Sequence, residues 1–319
     1  MEKVLAPIVL FVYNRPEHTQ KVVEGILANP EAKDSVLYIF ADGPKENASK
    51  ENYEKIARVR EYIHTIKGFK EVIIDESESN RGLAPATIRA MTMVLNKHDR
   101  VIMIEDDDYP SPYFLAYENE CLEKYKDDRR IWYVVGYCNT NRVIPRKGDD
   151  VFITSSGSSW GFGTWRRCWE KTIWDIDDLR GIFRHKSIVY NFNRFCGIHA
   201  SEIMIALLNG ENSSWSIRFG FASYLNRGMT IMPNKSLVVN IGFDGSGTHC
   251  SVMDQSIEMM DHRPIIPDVV KYDRRRNRQI KKQFVPNKIP NIILCSLGIP
   301  VYTFFRRCLT NHYKIKNCQ

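Results

Sequence analysis

The sequence predicts an α/β protein in which helices flank a mostly parallel sheet. Short apolar runs alternate with segments whose apolar residues recur at helical spacing. Clusters of polar residues follow several of these runs. In a parallel sheet such clusters lie at the carboxyl ends of the strands, which is where ligands bind. The 319 residues, 43% of them hydrophobic, suffice for one large domain or two modest ones.

The first strand is predicted at 7–13, because a continuous β-branched and aromatic run is typical of a strand buried on both faces. A helix follows from Pro16, a residue tolerated in the first turn. The apolar stripe of that helix comprises Val22, Val23, Ile26 and Leu27. The second strand, 36–41, ends at the turn formed by Asp42, Gly43 and Pro44.

The same two patterns predict the remaining elements. Helices are expected within 45–67, at 84–95, after Pro112, around 182–190 and at 201–208. Strands are expected at 72–74, 101–104, 131–137 and 237–241. The stretch 155–174, rich in Gly, Ser and Trp, is predicted to be a binding loop or lid.

The net charge of +7 is distributed unevenly. Residues 263–319 carry thirteen Lys or Arg against two acids, whereas the first 262 residues carry 32 basic and 36 acidic side chains. We therefore predict a body at 1–262 and a basic, amphipathic C-terminal extension at 263–319. An acidic body argues against nucleic acid as its partner.

The eight cysteines include no C-x-x-C pair, so neither a zinc ribbon nor a disulfide framework is indicated. The N-terminus shows no signal peptide. These two observations favour reduced thiols and a cytoplasmic location.

The sharpest local feature is the run Glu105, Asp106, Asp107 and Asp108 directly after an apolar strand. Four carboxylates at one strand end repel each other unless a cation compensates, and Mg²⁺ or Mn²⁺ prefers such oxygen ligands. The alternative is a solvated acidic turn.

Polar residues also end the first two strands. Asn14 and Arg15 follow the first, and Asp42 follows the second. An arginine can neutralise a diphosphate and an aspartate can accept a hydrogen bond from a base N–H, although Asp-Gly-Pro is also a common turn. The run 80–83, with Arg81, is either a capped loop or a phosphate-facing turn. The Gly-rich segment 242–249 ends in His249, a residue type that ligates metals.

Six segments in order resemble glycosyltransferases of the GT-A fold, a Rossmann-like fold, especially bacterial family-2-like enzymes and the N-acetylglucosaminyltransferase that initiates complex N-glycans. The segments span residues 7 to about 250 and are 11–16, 41–43, 80–84, 101–107, 160–165 and 240–249.

This resemblance implies that Asp42 reads a uracil, that Asn14 and Arg15 lie along the nucleotide, and that Asp106 approaches the ribose. Asp107 would be the metal-binding final acid, and His249 would approach the metal or diphosphate from the other side. The loop 160–165 would border the donor sugar and the acceptor. The full set of nucleotide-sugar residues is Tyr13, Asn14, Arg15, Asp42, Arg81, Glu105, Asp106, Trp160 and Gly161.

The implied activity is transfer of a hexosyl or N-acetylhexosaminyl group from a nucleotide diphosphate, with UDP as the expected nucleotide, to a glycan or lipid-linked acceptor in surface polysaccharide synthesis. A carboxylate would remove the acceptor proton. Relatives place an Asp just before a tryptophan where this chain has Ser213, Ser214 and Trp215. Either Glu202 or Asp244 therefore takes the role of base, or the chain transfers slowly, or the reaction is not a simple inversion. Glu202 is favoured because it lies in a polar break before a helix, although an acid there also suits a helix N-terminus. The alternatives are a sugar-phosphate nucleotidyltransferase and a non-catalytic nucleotide-sugar-binding relative.

The extension combines basic clusters with an uncharged run at 289–305 that is too short and too rich in proline for a spanning helix. That combination predicts peripheral attachment to an anionic membrane, at the inner face of the cytoplasmic membrane. Packing of the extension on the body or on a second subunit is the alternative.

Overall fold

The computed structural model describes residues 4–141, 143–144, 148, 150–244 and 257–283. Strands and helices alternate through its first third, as predicted. The elements there are β1 (Ile8–Val12), α1 (Pro16–Leu27), β2 (Val36–Ala41), α2 (Lys50–Ile63), β3 (Glu71–Glu76), α3 (Leu83–Lys97) and β4 (Arg100–Glu105).

The remaining elements are shorter. They are β5 (Asp108–Pro110), α4 (Phe114–Lys124), β6 (Ile131–Val135), β7 (Val151–Thr154), β8 (Phe162–Trp165), α5 (Arg166–Trp169), α6 (Ile176–Phe183), α7 (Lys186–Cys196), α8 (Ile198–Leu208), α9 (Trp215–Leu225), β9 (Met229–Pro233), β10 (Val238–Asn240) and α10 (Arg274–Gln283).

Eight strands form one sheet in the order β3-β2-β1-β4-β8-β6-β9-β7, and β5 pairs with β10 in a separate two-stranded sheet. Four of the seven neighbouring pairs in the large sheet are parallel, and the antiparallel pairs lie in its second half. The prediction of a mostly parallel sheet flanked by helices is confirmed.

The order in which successive strands are added to the sheet changes direction at β1. Strand β2 lies on one side of β1 and β4 on the other, both parallel to it, with Val12 opposite Ala41 and Phe11 opposite Glu105. The carboxyl ends of all three strands therefore meet at one edge, at the kind of switch point where open α/β sheets bind ligands.

The prediction of a loop or lid at 155–174 is wrong for much of that stretch. Strand β8 runs through it in the middle of the sheet, and Phe162, Trp165 and Trp169 are buried in the core. Gly163 allows the close packing, because a Cβ there would lie 2.5 Å from Glu118 Oε2. Phe162, Trp165 and Trp169 therefore belong to the core, and Gly163 lies in a crowded strand.

Helices α6 to α9 pack around a second hydrophobic cluster beside the sheet. The helix predicted around 182–190 is divided between α6 and α7, because the chain turns at Arg184 and His185. The helix predicted at 201–208 is present as α8. None of the helices in the described ranges is long and apolar enough to cross a membrane.

The described start of the C-terminal extension packs against the body. Ile266 and Val270 are buried in the main core, and Arg276, 2% exposed, lies over the ring of Phe152 at 4.4 Å. The boundary after residue 262 stays a prediction. The basic run at 284–319 and the uncharged stretch within it lie outside the described residues.

Asn277 fastens α10 to the sheet. Its Oδ1 accepts hydrogen bonds from Thr154 Oγ1 at 2.6 Å and from the Ser155 backbone N–H at 3.0 Å, and its Nδ2 donates to Tyr272 Oη at 2.6 Å. Asn277→Ala leaves buried partners unsatisfied, so we expect it to lower the free energy of unfolding by about 3 kcal/mol. Urea unfolding measures this loss, with the exposed Lys282→Ala on the same helix as control. Equal midpoints for the two variants would contradict the role of Asn277.

Candidate nucleotide and metal site

A cavity of about 660 Å³ opens where β1, β2 and β4 end. Nine predicted site residues line it: Tyr13, Asn14, Arg15, Asp42, Arg81, Glu105, Asp106, Asp107 and Trp160. The structure thus brings together residues from five separate parts of the sequence. Gly161 lies next to this wall, where its backbone N–H donates to Asp108 Oδ2 at 3.1 Å.

The acidic run forms one side of the cavity. Carboxylate oxygens of Glu105, Asp107 and Asp108 lie within 4.8 Å of one another, an arrangement that could hold a metal ion. Asp106 is not in that group of three, since its Oδ1 faces the guanidinium of Arg15.

Asp108 also belongs to the site, although the sequence predicted no role for it other than membership of the acidic run. It is fully buried, and its Oδ1 accepts a hydrogen bond from Asn240 Nδ2 at 3.2 Å. The backbone carbonyl of Asp107 accepts from the Ile241 N–H at 2.7 Å. Strand β10, which pairs with β5, therefore fixes the acidic run from the side opposite β4.

Arg15 follows β1 and immediately precedes α1, which directs its side chain across the strand ends. Its Nη1 lies 2.9 Å from Asp107 Oδ2, and its Nη2 contacts Asp106 Oδ1. Burial alone would lower the pKa of Arg15, but the charges of Asp106 and Asp107 outweigh burial and raise the pKa above its ordinary value. Arg15 is therefore a permanent positive charge in the wall.

The single positive charge of Arg15 does not neutralise the four carboxylates of the acidic run. Burial, reinforced by the charges of Asp107 and Asp106, raises the pKa of Glu105 to about 8. Burial also raises the pKa of Asp106, although Arg15 opposes it, and burial with the neighbouring carboxylates raises that of Asp108 well above its usual range. The cluster therefore retains protons near neutral pH unless a further cation is present.

Asp107 shows that the cluster fits such a cation. It is 7% exposed, and its Oδ1 is buried without a hydrogen-bond partner among the described residues, whereas its Oδ2 accepts from Arg15. A buried carboxylate oxygen without a partner is costly. Hard divalent ions such as Mg²⁺ or Mn²⁺ take carboxylate oxygens as ligands, so Glu105, Asp107 and Asp108 suit one of them.

The opposite end of the cavity is formed by β2 and the loop before α3. Asp42 Oδ1 accepts hydrogen bonds from the backbone N–H groups of Gly43 at 3.0 Å and Arg81 at 2.9 Å. Asn80 Nδ2 donates to the Gly43 carbonyl at 3.1 Å. These bonds hold the loop at 80–83 against the end of β2, which brings Asp42 and Arg81 to the same wall.

Aromatic rings border the part of the cavity near the acidic run. Trp160 packs edge-on against Tyr137 at 4.5 Å and against Phe243 at 5.8 Å between ring centroids. Both Trp160 and Phe243 line the cavity. Phe243 was not predicted, although its place in the Gly-rich segment 242–249 was a signal. Aromatic faces of this kind suit the apolar side of a pyranose.

The two candidate bases lie differently. Neither of them is among the residues that line the cavity, and Glu202 is on α8, one of the helices α6 to α9 beside the sheet. Asp244 directly follows Phe243, and its Oδ2 lies 3.2 Å from His18 Nε2. In the run before Trp215, where the resemblance led us to look for an Asp, Ser213 lines the cavity and Ser214 caps α9. His249 lies outside the described residues.

Comparison with known proteins gives no family. No family model and no curated protein matches this chain. Among solved structures, it is similar to Staphylococcus aureus TarS 1–349, with 12% identity, 73% of this chain and 59% of that chain covered, and a TM-score of 0.40.

Two structures described as UDP-glucose pyrophosphorylase are also similar. The apo form shows 9% identity over 75% of this chain and 94% of that one, with a TM-score of 0.37. The complex with UDP-glucose shows 9% identity over 72% and 90%, with a TM-score of 0.36. None of these similarities identifies the activity of this chain.

Proposed function

We propose that this chain is a metal-dependent glycosyltransferase that uses a nucleotide-diphosphate sugar, with a UDP-sugar as the first candidate donor. One observation carries the proposal: the buried Oδ1 of Asp107 has no hydrogen-bond partner in the part of the chain that the structure describes, and its acidic cluster shares one cavity with Arg15 and Asp42. A diphosphate with a divalent cation satisfies both the acids and the arginine.

Each end of the cavity has a role in this proposal. Asp42 accepts a hydrogen bond from an N–H of the base, and Arg81 lies beside it. Arg15 contacts the diphosphate, Asp106 approaches the ribose, and Trp160 with Phe243 borders the transferred sugar. Tyr13 and Asn14 lie along the nucleotide between the two ends. The presence of all these residues in the lining of one cavity supports this arrangement.

The metal would be held by Glu105, Asp107 and Asp108, and when bound it supplies Lewis-acid neutralisation of the departing nucleoside diphosphate. Arg15 adds a fixed positive charge at the same place. A carboxylate must take the acceptor hydroxyl proton, and Asp244 is favoured over Glu202 because its neighbour Phe243 lines the cavity. His18 orients the Asp244 carboxylate through the contact at 3.2 Å.

A thermal-shift screen of nucleoside diphosphates and nucleotide sugars, with and without Mn²⁺, tests this function. A ligand that binds only the folded chain raises its melting temperature with the logarithm of ligand concentration. We expect UDP and UDP-sugars to stabilise the chain only with the metal, followed by release of UDP when a glycan acceptor is added. Preference for UTP with a sugar phosphate would favour a nucleotidyltransferase, and stabilisation by no nucleotide would reject the proposal.

We also propose that the acceptor is carried by a membrane and that the C-terminal extension attaches the chain to the cytoplasmic, anionic face of that membrane. Helix α10 supports this. Ile280 on one face is buried, whereas Arg274, Arg278 and Lys282 form an exposed basic stripe at four-residue spacing. Because the apolar face already packs on the body, α10 would attach by charge alone.

Neutralising the stripe by Arg274→Gln, Arg278→Gln and Lys282→Gln together should weaken binding to anionic vesicles by at least about tenfold, because each basic residue near such a surface contributes roughly 1 kcal/mol. Co-sedimentation with anionic vesicles measures this loss of binding. The control triple Lys21→Gln, Lys50→Gln and Lys67→Gln removes the same charge from exposed positions elsewhere. Equal losses for the two triples would contradict a role for the stripe.

A further inference from the structure

We propose that Arg15 occupies Asp106 and Asp107 in the unliganded protein and transfers to the diphosphate when a nucleotide arrives, which makes cation and nucleotide bind cooperatively. This inference rests on the proposed function for the identity of the nucleotide. It goes beyond that function by assigning the coupling between the two ligands to one side chain.

The contacts place Arg15 in competition with a cation. Its Nη1 donates to Asp107 Oδ2 at 2.9 Å while its Nη2 contacts Asp106, so one guanidinium engages two carboxylates of the run. A cation held by Asp107 would lie next to this guanidinium, and two like charges at such short range repel each other. Arg15 therefore lowers the affinity of Asp107 for a cation while it stays in place.

The packing around Asp107 gives its carboxylate little freedom to turn away. A Cβ on Gly242 would lie 2.4 Å from Asp107 Oδ2, so the backbone there already lies against that oxygen. The Arg15 side chain is 18% exposed against 9% for that of Asp107, and it lines the cavity, so it is the more accessible partner of the pair. When the contact between them breaks, Arg15 is the side chain that leaves.

A diphosphate offers Arg15 an equivalent partner. The planar fork of a guanidinium binds phosphate oxygens as it binds carboxylate oxygens. Once Arg15 has moved to the phosphate, Asp106 and Asp107 lose their compensating charge and bind a cation more strongly. Because coupling between two ligands is reciprocal, the cation must raise the nucleotide affinity by the same factor.

Calorimetric titration of the full chain with Mn²⁺ alone, with UDP alone, and with Mn²⁺ at saturating UDP tests the proposal. In the unmodified chain we expect Mn²⁺ alone to bind weakly, and we expect the affinity for Mn²⁺ to increase strongly when UDP is saturating. Mn²⁺ alone should bind to Arg15→Gln about tenfold tighter than to the unmodified chain. The factor by which UDP raises the Mn²⁺ affinity should be about tenfold smaller in this variant. Unchanged or weaker binding of Mn²⁺ alone to Arg15→Gln would overturn the proposal.

Two further variants separate the contact from general charge and from misfolding. Arg89→Gln removes the same charge from the same cavity, where Arg89 Nη2 pairs with Asp75 Oδ2 at 2.9 Å. It should change the affinity for Mn²⁺ alone by less than about twofold, and a tenfold gain there would overturn the proposal. Arg15→Lys keeps the charge but replaces the planar fork of two terminal nitrogens with a single ammonium nitrogen, which cannot reproduce the geometry of the two contacts. It should bind Mn²⁺ alone about threefold tighter, and no change in a folded Arg15→Lys would overturn the proposal.

The two proposals fail separately. If UDP does not bind the unmodified chain with or without Mn²⁺, the proposed function is rejected. The titrations with Mn²⁺ alone still decide whether Arg15 competes with a cation at Asp107.

Discussion

Asp107→Asn is expected to weaken manganese-dependent binding of UDP by about 100-fold or more, and to abolish sugar transfer with it. The substitution removes the charge of the carboxylate whose buried Oδ1 has no partner within the described structure. It also removes one of four acids crowded at a strand end, which relieves repulsion. The metal-free variant should therefore melt at the same temperature as the unmodified chain or above it.

Asp75→Asn is the matched control for this variant. Asp75 lines the same cavity but pairs with Arg89 rather than with the acidic run. Its loss should leave the manganese dependence of UDP binding within about threefold, as measured by calorimetry in parallel with Asp107→Asn. If Asp107→Asn kept the full manganese dependence of UDP binding, the acidic run could not be the metal site.

Gly242→Ala is expected to lower manganese-dependent UDP affinity by about tenfold or more. Its Cβ would lie 2.4 Å from Asp107 Oδ2 and 2.9 Å from Arg15 Nη1, so both charged groups must shift. Because the collision falls on side-chain ends, the fold should survive, with a loss of about 1 to 2 kcal/mol. Calorimetry and urea unfolding together measure the two effects.

Gly181→Ala tests whether any added methyl group has this effect. Gly181 lies in α6, and a Cβ there meets nothing within 4 Å. Alanine in a helix is favoured over glycine, so this variant should gain about 0.5 to 1 kcal/mol and leave UDP binding unchanged. A Gly242→Ala variant that binds as well as Gly181→Ala would show that the close approach to Asp107 is unimportant.

Strands β1, β2 and β4 could be predicted because each is a continuous apolar run, and a strand buried on both faces requires that composition. The edge strand β3 was predicted from the three apolar residues at 72–74 alone. Strand β8 was missed because glycine and tryptophan hide its pattern, and its identity depends on packing against Glu118. Strands β7 and β9 are only four and five residues long, and their apolar residues give no distinct signal alone.

The strand ends predicted the position of the site, since parallel strands on either side of β1 must finish at one edge. They did not predict its internal bonds. The fixing of Asp108 by Asn240 depends on pairing between β5 and β10, which are far apart in the sequence. The position of Glu202 in the helical layer likewise depends on how α8 packs, which no local pattern specifies.

Anomalous diffraction from a crystal of the full chain grown with Mn²⁺ and UDP tests the central claim most directly. The account predicts a manganese peak in contact with Asp107, beside Glu105 and Asp108, with the diphosphate bound to the same ion and the base near Asp42. A map in which UDP lies elsewhere, or in which the acidic run binds no manganese while UDP is present, would contradict it.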